Sequence, residues 1–314
     1  MAAILEIDNL SKDYDVGFWR KRKVRALDGL SLAVNHGEIF GFLGANGAGK
    51  TTTLKILMRL IFPTGGKARI LGQAISDVSM HQNVGYLPEN PYFYDYLTPL
   101  EFLDYCGQIF GLAAPDRLHR SRELLNRVKL EESKWKTQLR KFSKGMLQRV
   151  GMAQALVNDP KILFLDEPMS GLDPIGRREV RDLIAELRDE GKTVFMCSHI
   201  LSDIEILCDR VAILRKGQLA HLGPLDQLQR GTSEDARMEI VATGTDSATL
   251  SRCAKNTQLQ ITTTPSGLRI EVPSEVDVDK VLIALREAGG KLVAVQPLRQ
   301  SLEELFLAGP EKRG

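Results

Sequence analysis

The 314-residue sequence has no apolar run approaching the roughly 20 residues that a membrane-spanning helix requires, and runs such as Ile162 to Leu165 are among its longest. If the protein serves a membrane, another chain is expected to supply the spans. The N-terminus shows no hydrophobic leader core. Cysteine is scarce: Cys106, Cys197, Cys208 and Cys253 are scattered without metal-ligand spacing, so reduced thiols and cytosolic residence are expected. Charge of one sign is not in excess either. Lys and Arg total 42 against 40 for Asp and Glu, and the net +2 gives no general electrostatic reason to expect a nucleic-acid partner. Any phosphate chemistry has to be local. There is no internal repeat, no long coiled-coil heptad pattern and no Asn-Lys-x-Asp guanine-reading motif.

What is present is an alternation of short β-like runs with helical patterns from Ile4 to about Leu228, which predicts an α/β domain with helices around a largely parallel sheet. Thr98-Pro99-Leu100-Glu101 has a capping-box pattern with proline at the first helical position, and it opens a helical subdomain expected over about residues 95–157. A further helix is expected from Asp173-Pro174, with Val180, Leu183, Ile184 and Leu187 on one face and Gly191 as its stop. Around Gln229 to Asp235 the sequence turns polar and loses its period, which sets domains at 1–230 and 235–314. The second restarts as strand, helix, hairpin, helix, strand and helix, the pattern of a small ferredoxin-like α+β domain. Its hairpin is expected at Thr264-Pro265-Ser266-Gly267, and its second helix presents Val278, Val281, Leu282 and Leu285 before Gly289-Gly290.

The segment Gly44-Ala45-Asn46-Gly47-Ala48-Gly49-Lys50-Thr51 follows the strand-like Glu38 to Leu43 and precedes Leu54, Leu57, Met58 and Ile61 at helical spacing. This is the context of a phosphate-binding P-loop. Glycines let the backbone wrap closely, so that successive N–H groups and the helix N-terminus face phosphate oxygens. Lys50 is expected to grip the β- and γ-phosphates of ATP, and Thr51 to place its hydroxyl on Mg²⁺. Further on, Ile162-Leu163-Phe164-Leu165 reads as a buried strand delivering Asp166 and Glu167 at its end, where ligands sit in open α/β sheets. Asp166 is expected to hold Mg²⁺, directly or through water, and Glu167 to orient and polarise the attacking water.

Between these motifs stands Phe142-Ser143-Lys144-Gly145-Met146-Leu147-Gln148-Arg149, which resembles the signature motif of ABC ATPases; Ser170-Gly171-Leu172-Asp173 is similar to their D-loop. The resemblance covers most of the chain and implies an ABC-type P-loop NTPase fold, with helical subdomain, that binds and hydrolyses ATP. It implies that Ser143 and Gly145 close over the γ-phosphate held by an opposing subunit, and that Asp173 lies at the same nucleotide. It further implies that Thr52 contacts the α-phosphate region, that His199 is the switch histidine, and that Tyr14 stacks on adenine. Phe18 and Trp19 are rival candidates for that stack. After Val84-Gly85-Tyr86-Leu87-Pro88, the family's Q-loop position holds Glu89, which can ligate Mg²⁺ but cannot donate an amide hydrogen bond.

Lys144 and Met146 are further departures, adding a cation and losing an amide near the expected phosphate. Such variants are similar to the ATPases of type-2 exporters, whose subunits often carry a C-terminal extension. The implied partners are a second nucleotide-binding subunit, identical or closely related, and an integral membrane permease. Residence on the inner face of the cell membrane follows, with no nucleic acid expected. The alternative within the same family is a soluble ATPase acting on ribosomes or DNA. The tail is read as a dimerisation or structural element, with ligand sensing the other reading. Arg20 to Lys23 and Arg25 read as a solvated loop.

Overall fold

The computed structural model describes residues 3–17, 22–230, 238–253, 259–265, 267–273, 275–297 and 302. The chain divides into two compact units, one running to Pro224 and one beginning at Leu225. This places the division a few residues before the expected boundary at 230–235. The reason is local: Pro224 is the last rung of an antiparallel ladder with Arg210, and a helix starts at the next residue.

In the first unit the elements are β1 (Ala3–Val16), β2 (Arg22–Asn35), β3 (Ile39–Gly44), α1 (Lys50–Leu57), β4 (Gly65–Ile70), β5 (Gln73–Ala74) and β6 (Val84–Leu87). These are followed by α2 (Pro99–Ile109), α3 (Ala114–Arg127), α4 (Lys144–Ala155), β7 (Ile162–Asp166), α5 (Pro174–Asp189), β8 (Thr193–Ser198), α6 (Leu201–Leu207), β9 (Arg210–Arg215) and β10 (Gln218–Pro224). A six-stranded sheet has the order β10-β9-β3-β8-β7-β6 and is parallel throughout except for β10 at its edge. Strands β3, β7 and β8 are buried along their whole length, which is why they read as unbroken apolar runs.

The expectation of a largely parallel sheet holds only for this half of the unit. A second sheet, β2-β1-β4-β5, is antiparallel. Its strands alternate: Leu5, Ile7 and Leu10 on β1 and Leu30, Leu32 and Val34 on β2 are buried, with exposed or half-exposed residues between them. That period of two marks strands with one solvated face. Both sheets share one core, where the Phe195 ring packs against Phe40, Phe42 and Phe164 at 5.4, 5.2 and 5.5 Å between centroids.

Helices α2, α3 and α4 all lie within the stretch expected to be helical. The Thr98 capping box forms as the sequence indicates: Thr98 Oγ1 accepts from the Glu101 N–H, and the Thr98 N–H donates to Glu101 Oε2. Helix α4 is pressed against β6 at Gly85. A Cβ there would stand 2.1 Å from the Ala155 carbonyl oxygen. Gly85→Ala is therefore expected to destabilise the unit by about 1–3 kcal/mol, read from urea unfolding followed by tryptophan fluorescence.

The second unit contains α7 (Leu225–Arg230), β11 (Met238–Thr243), α8 (Ser247–Cys253), β12 (Gln260–Thr264), β13 (Gly267–Val272), α9 (Glu275–Glu287) and β14 (Lys291–Pro297). The antiparallel order β12-β13-β11-β14, with α8 and α9 as the connections, is a ferredoxin-like arrangement. Ile240, Leu250, Leu268, Ile270, Val281 and Leu285 form its core. Ser266 of the expected hairpin turn, and all but Leu302 of the expected last helix, lie outside the described residues.

Candidate nucleotide site

The site is built where β3 meets α1. The strand ends at Gly44, and the chain turns through Gly47 (φ 80°) and Gly49 (φ 113°) before the helix begins at Lys50. Gly49 is required twice over. Its φ is left-handed, and a Cβ would lie 2.7 Å from the Ala26 carbonyl oxygen on β2. Gly49 caps α1 without a side-chain acceptor, and the first turn carries no acidic residue, so the positive helix end is left for an external anion. The Lys50 ammonium folds back over the loop and donates to the Gly44 carbonyl at 2.6 Å.

Strand β7 brings the carboxylates alongside. Asp166 is almost wholly buried, and its Oδ2 accepts from Thr51 Oγ1 at 3.1 Å. Burial pushes its carboxyl up to about 6, reinforced by the nearby Glu89 and Glu167 charges and opposed by the Thr51 hydrogen bond and Lys50. Its other oxygen, Oδ1, is buried without a hydrogen-bond partner. An orphaned carboxylate oxygen beside a threonine hydroxyl fits a hard divalent cation. No group of three or more metal-ligating side chains occurs among the described residues. Mg²⁺ would be held by one or two protein oxygens such as these and complete its shell with phosphate and water.

Glu167 follows with φ 51°, a left-handed backbone that is uncommon for a residue with a side chain. Its N–H donates to the Cys197 carbonyl at 3.0 Å. The pairing of Asp166 with Cys197 in the β7–β8 ladder sets the two strand ends level. Glu167 Oε1 consequently meets His199 Nδ1 at 2.7 Å, and Ser198 Oγ donates to Oε2 at 3.5 Å. Glu167 is buried while the His199 side chain is half exposed.

A cavity of about 450 Å³ is lined by Ala26, Ala45, Asn46, Gly47, Gly49, Lys50, Thr51, Thr52, Glu89, Asp166, Glu167 and His199. Gly44 contributes the carbonyl under Lys50, and Ala48 is a buried member of the loop. Tyr14, Ser143, Gly145 and Asp173 do not line this cavity. Tyr14 is half-buried on β1, with the Lys12 ammonium 5.2 Å from its ring centroid. Ser143 caps α4 by accepting from the Met146 N–H, Gly145 lies against Leu172, and Asp173 caps α5 by accepting from the Gly176 N–H. Phe18 and Trp19 lie outside the described residues. Sequence reasoning missed Ala26, Ser198 and Gln148, whose side-chain amide reaches the backbone at Glu167. Only Ser198 carried a signal, its place at the end of an apolar strand.

A glycine loop at a helix N-terminus, a lysine curled over it, and a threonine hydroxyl bonded to a buried strand-end aspartate define a P-loop nucleoside triphosphatase. The family model for ABC transporters matches residues 27–170. An ABC transporter ATP-binding protein of Synechocystis, sll0415, is 45% identical over 314 residues, spanning 100% of this chain and 86% of the relative. The bacitracin transport ATP-binding protein BcrA of Bacillus licheniformis is 40% identical over 233 residues, covering 73% of this chain and 72% of BcrA. Among solved structures, a dimeric post-hydrolysis state of the ATP-binding cassette MJ0796, bound to ADP and Pi, superposes with a TM-score of 0.66. It is 26% identical and covers 70% of this chain and 98% of that one. The chain belongs to the ABC transporter ATP-binding family, and it is an ATPase.

Proposed function

We propose that this chain is the ATP-hydrolysing subunit of an exporter, acting as a homodimer whose two copies meet head to tail and drive a separate integral membrane permease. The observation that carries this reading is the split of the site. Lys50, Thr51, Asp166, Glu167 and His199 surround one cavity, whereas the α4 N-terminus at Ser143 stands outside it. That helix end, with its exposed serine and the half-buried Gly145, is an anion site with no anion of its own chain to hold. A second copy turned by a two-fold axis would bring it over the γ-phosphate. The dimeric MJ0796 cassette supports the pairing of two copies, and the transport role named for BcrA supports a role in transport.

In the closed dimer Lys50 grips the β- and γ-phosphates, the α1 N-terminus binds phosphate oxygens, and Thr52 contacts the α-phosphate region. Tyr14 stacks on the adenine, and Asp173 lies at the subunit boundary. Thr51 and Asp166 hold Mg²⁺, with Glu89 as a further oxygen near it, and the ion neutralises phosphate charge when bound. Glu167 polarises the attacking water, and His199, hydrogen-bonded to Oε1, orients that carboxylate. ATP joins the halves and hydrolysis releases them, so differential affinity for the closed and open dimers works the permease. No helix among the described residues is long and apolar enough to cross a membrane, so the chain would lie against the inner face of the cell membrane by way of that permease.

If each site needs two copies, turnover per chain must fall as the protein is diluted through its dimerisation range in saturating Mg²⁺·ATP. An undiminished rate at dilutions that leave only monomers would refute the dimer. Affinity isolation from solubilised membranes is expected to bring down an integral membrane protein. Recovery of ribosomal proteins alone would instead identify a soluble machine.

A further inference from the structure

The backbone of Glu167 is held from an unexpected direction. Gln148, on the second turn of α4, is buried, and its Nε2 donates to the Glu167 carbonyl at 3.3 Å and to the Pro168 carbonyl at 3.1 Å. Both neighbours are acceptors, so the amide must turn its NH₂ toward them. The Glu167 carbonyl also accepts from the Ser170 N–H at 3.0 Å, closing a tight turn directly after the left-handed residue. A second tie runs in parallel: Lys144 Nζ donates to Ser170 Oγ at 3.2 Å, and a Cβ at Gly171 would lie within 3 Å of the Lys144 methylenes. The helix whose N-terminus carries Ser143 is thereby fastened to the turn that carries Glu167 in the same chain.

We propose that Gln148 is a positioning residue for ATP hydrolysis, holding Glu167 in its left-handed conformation and linking its carboxylate to the placement of α4. The inference rests on the proposed role of Glu167 in activating water. A left-handed glutamate persists only where its surroundings over-determine it, and here those surroundings include a side chain from α4. Because the Ser143 end of α4 is assigned to the nucleotide of the opposing subunit, movement of that helix on closure would reach the water-activating carboxylate of its own site. Gln148 does this through two hydrogen bonds and without touching nucleotide.

The test uses the full-length chain. Gln148→Met keeps the length and removes both donors. It is expected to lower kcat by about 10- to 100-fold while KM for ATP and affinity for ADP change less than about twofold, since misplacing a reacting group affects the chemical step rather than ground-state binding. Gln148→Glu presents a carboxylate to two carbonyl oxygens when ionised and one donor when protonated. Its kcat relative to the parent protein is therefore expected to rise as pH falls from about 8 to about 6. Combined with Glu167→Gln, Gln148→Met is expected to cause no further loss. The inference is overturned if Gln148→Met turns over at the parent rate, if kcat and nucleotide affinity fall together, if Gln148→Glu follows the parent pH profile, or if the losses multiply in the double variant. Parent-like hydrolysis by Glu167→Gln alone would instead remove the reading on which the inference rests.

Discussion

Glu167→Gln is expected to reduce steady-state phosphate release by about 10²- to 10⁴-fold, the range over which a positioned general base contributes. The substitution is nearly isosteric. It keeps an oxygen where Oε1 meets His199 and leaves the left-handed turn and its Gln148 contacts in place. What it removes is the proton-accepting charge. Nucleotide affinity should therefore be retained, because the phosphate-binding loop, Lys50 and the α1 N-terminus are untouched. The variant should accumulate as an Mg²⁺·ATP-dependent dimer, since the step that separates the halves would be missing. Size-exclusion chromatography with light scattering reads the dimer, and a phosphate assay reads the loss. Full hydrolysis would mean that a different group activates the water.

The phosphate loop and the acidic strand end were legible because each is a contiguous stretch whose chemistry depends on local backbone shape. Glycines at fixed offsets before Lys50 and Thr51 can be read without tertiary structure, and so can an apolar run ending in two carboxylates. His199 was expected only as the switch histidine that the family resemblance implies, not as a partner of Glu167. The 2.7 Å contact between them depends on the β7–β8 register, which no short stretch encodes. Gln148 stands within the signature segment, yet its role was invisible. Its partners lie 19 and 20 residues further on and are backbone carbonyls, which have no residue identity to recognise. The antiparallel sheet was missed for another reason: β1 and β2 do alternate, but bulges break the period at several points along their pairing. In the tail β11, α8, β13 and α9 were legible because each is short and presents its own apolar face, as the shared core of Ile240, Leu250, Ile270 and Val281 requires.

Asp166→Asn separates what the site does for stability from what it does for chemistry. The native state holds a proton on Asp166 more tightly than the unfolded chain does, with the carboxyl raised from 3.8 to about 6. Below pH 3.8 both states are protonated and burial of the neutral acid carries no charge penalty. As pH rises toward 6 the unfolded chain ionises first and stability falls; above about 6 the full cost stands, about 3 kcal/mol. Roughly half of that cost is incurred between pH 5 and 7.5. The stability difference between Asp166→Asn and the parent, measured without nucleotide or metal by urea unfolding at those two pH values, should shift in the variant's favour by this amount. Its amide adds a donor beside the unpartnered Oδ1 position, a pH-independent penalty that drops out of the comparison. Saturating Mg²⁺·ATP should act in the opposite direction, favouring the parent. A ligand at 100 times its dissociation constant stabilises the parent by about 2.7 kcal/mol, and the variant, lacking the carboxylate, should gain far less and hydrolyse at least about 100-fold more slowly. The charge that lowers stability without ligand would then be the one that makes the site bind. Equal stabilisation of parent and variant by Mg²⁺·ATP would show that the metal is held elsewhere.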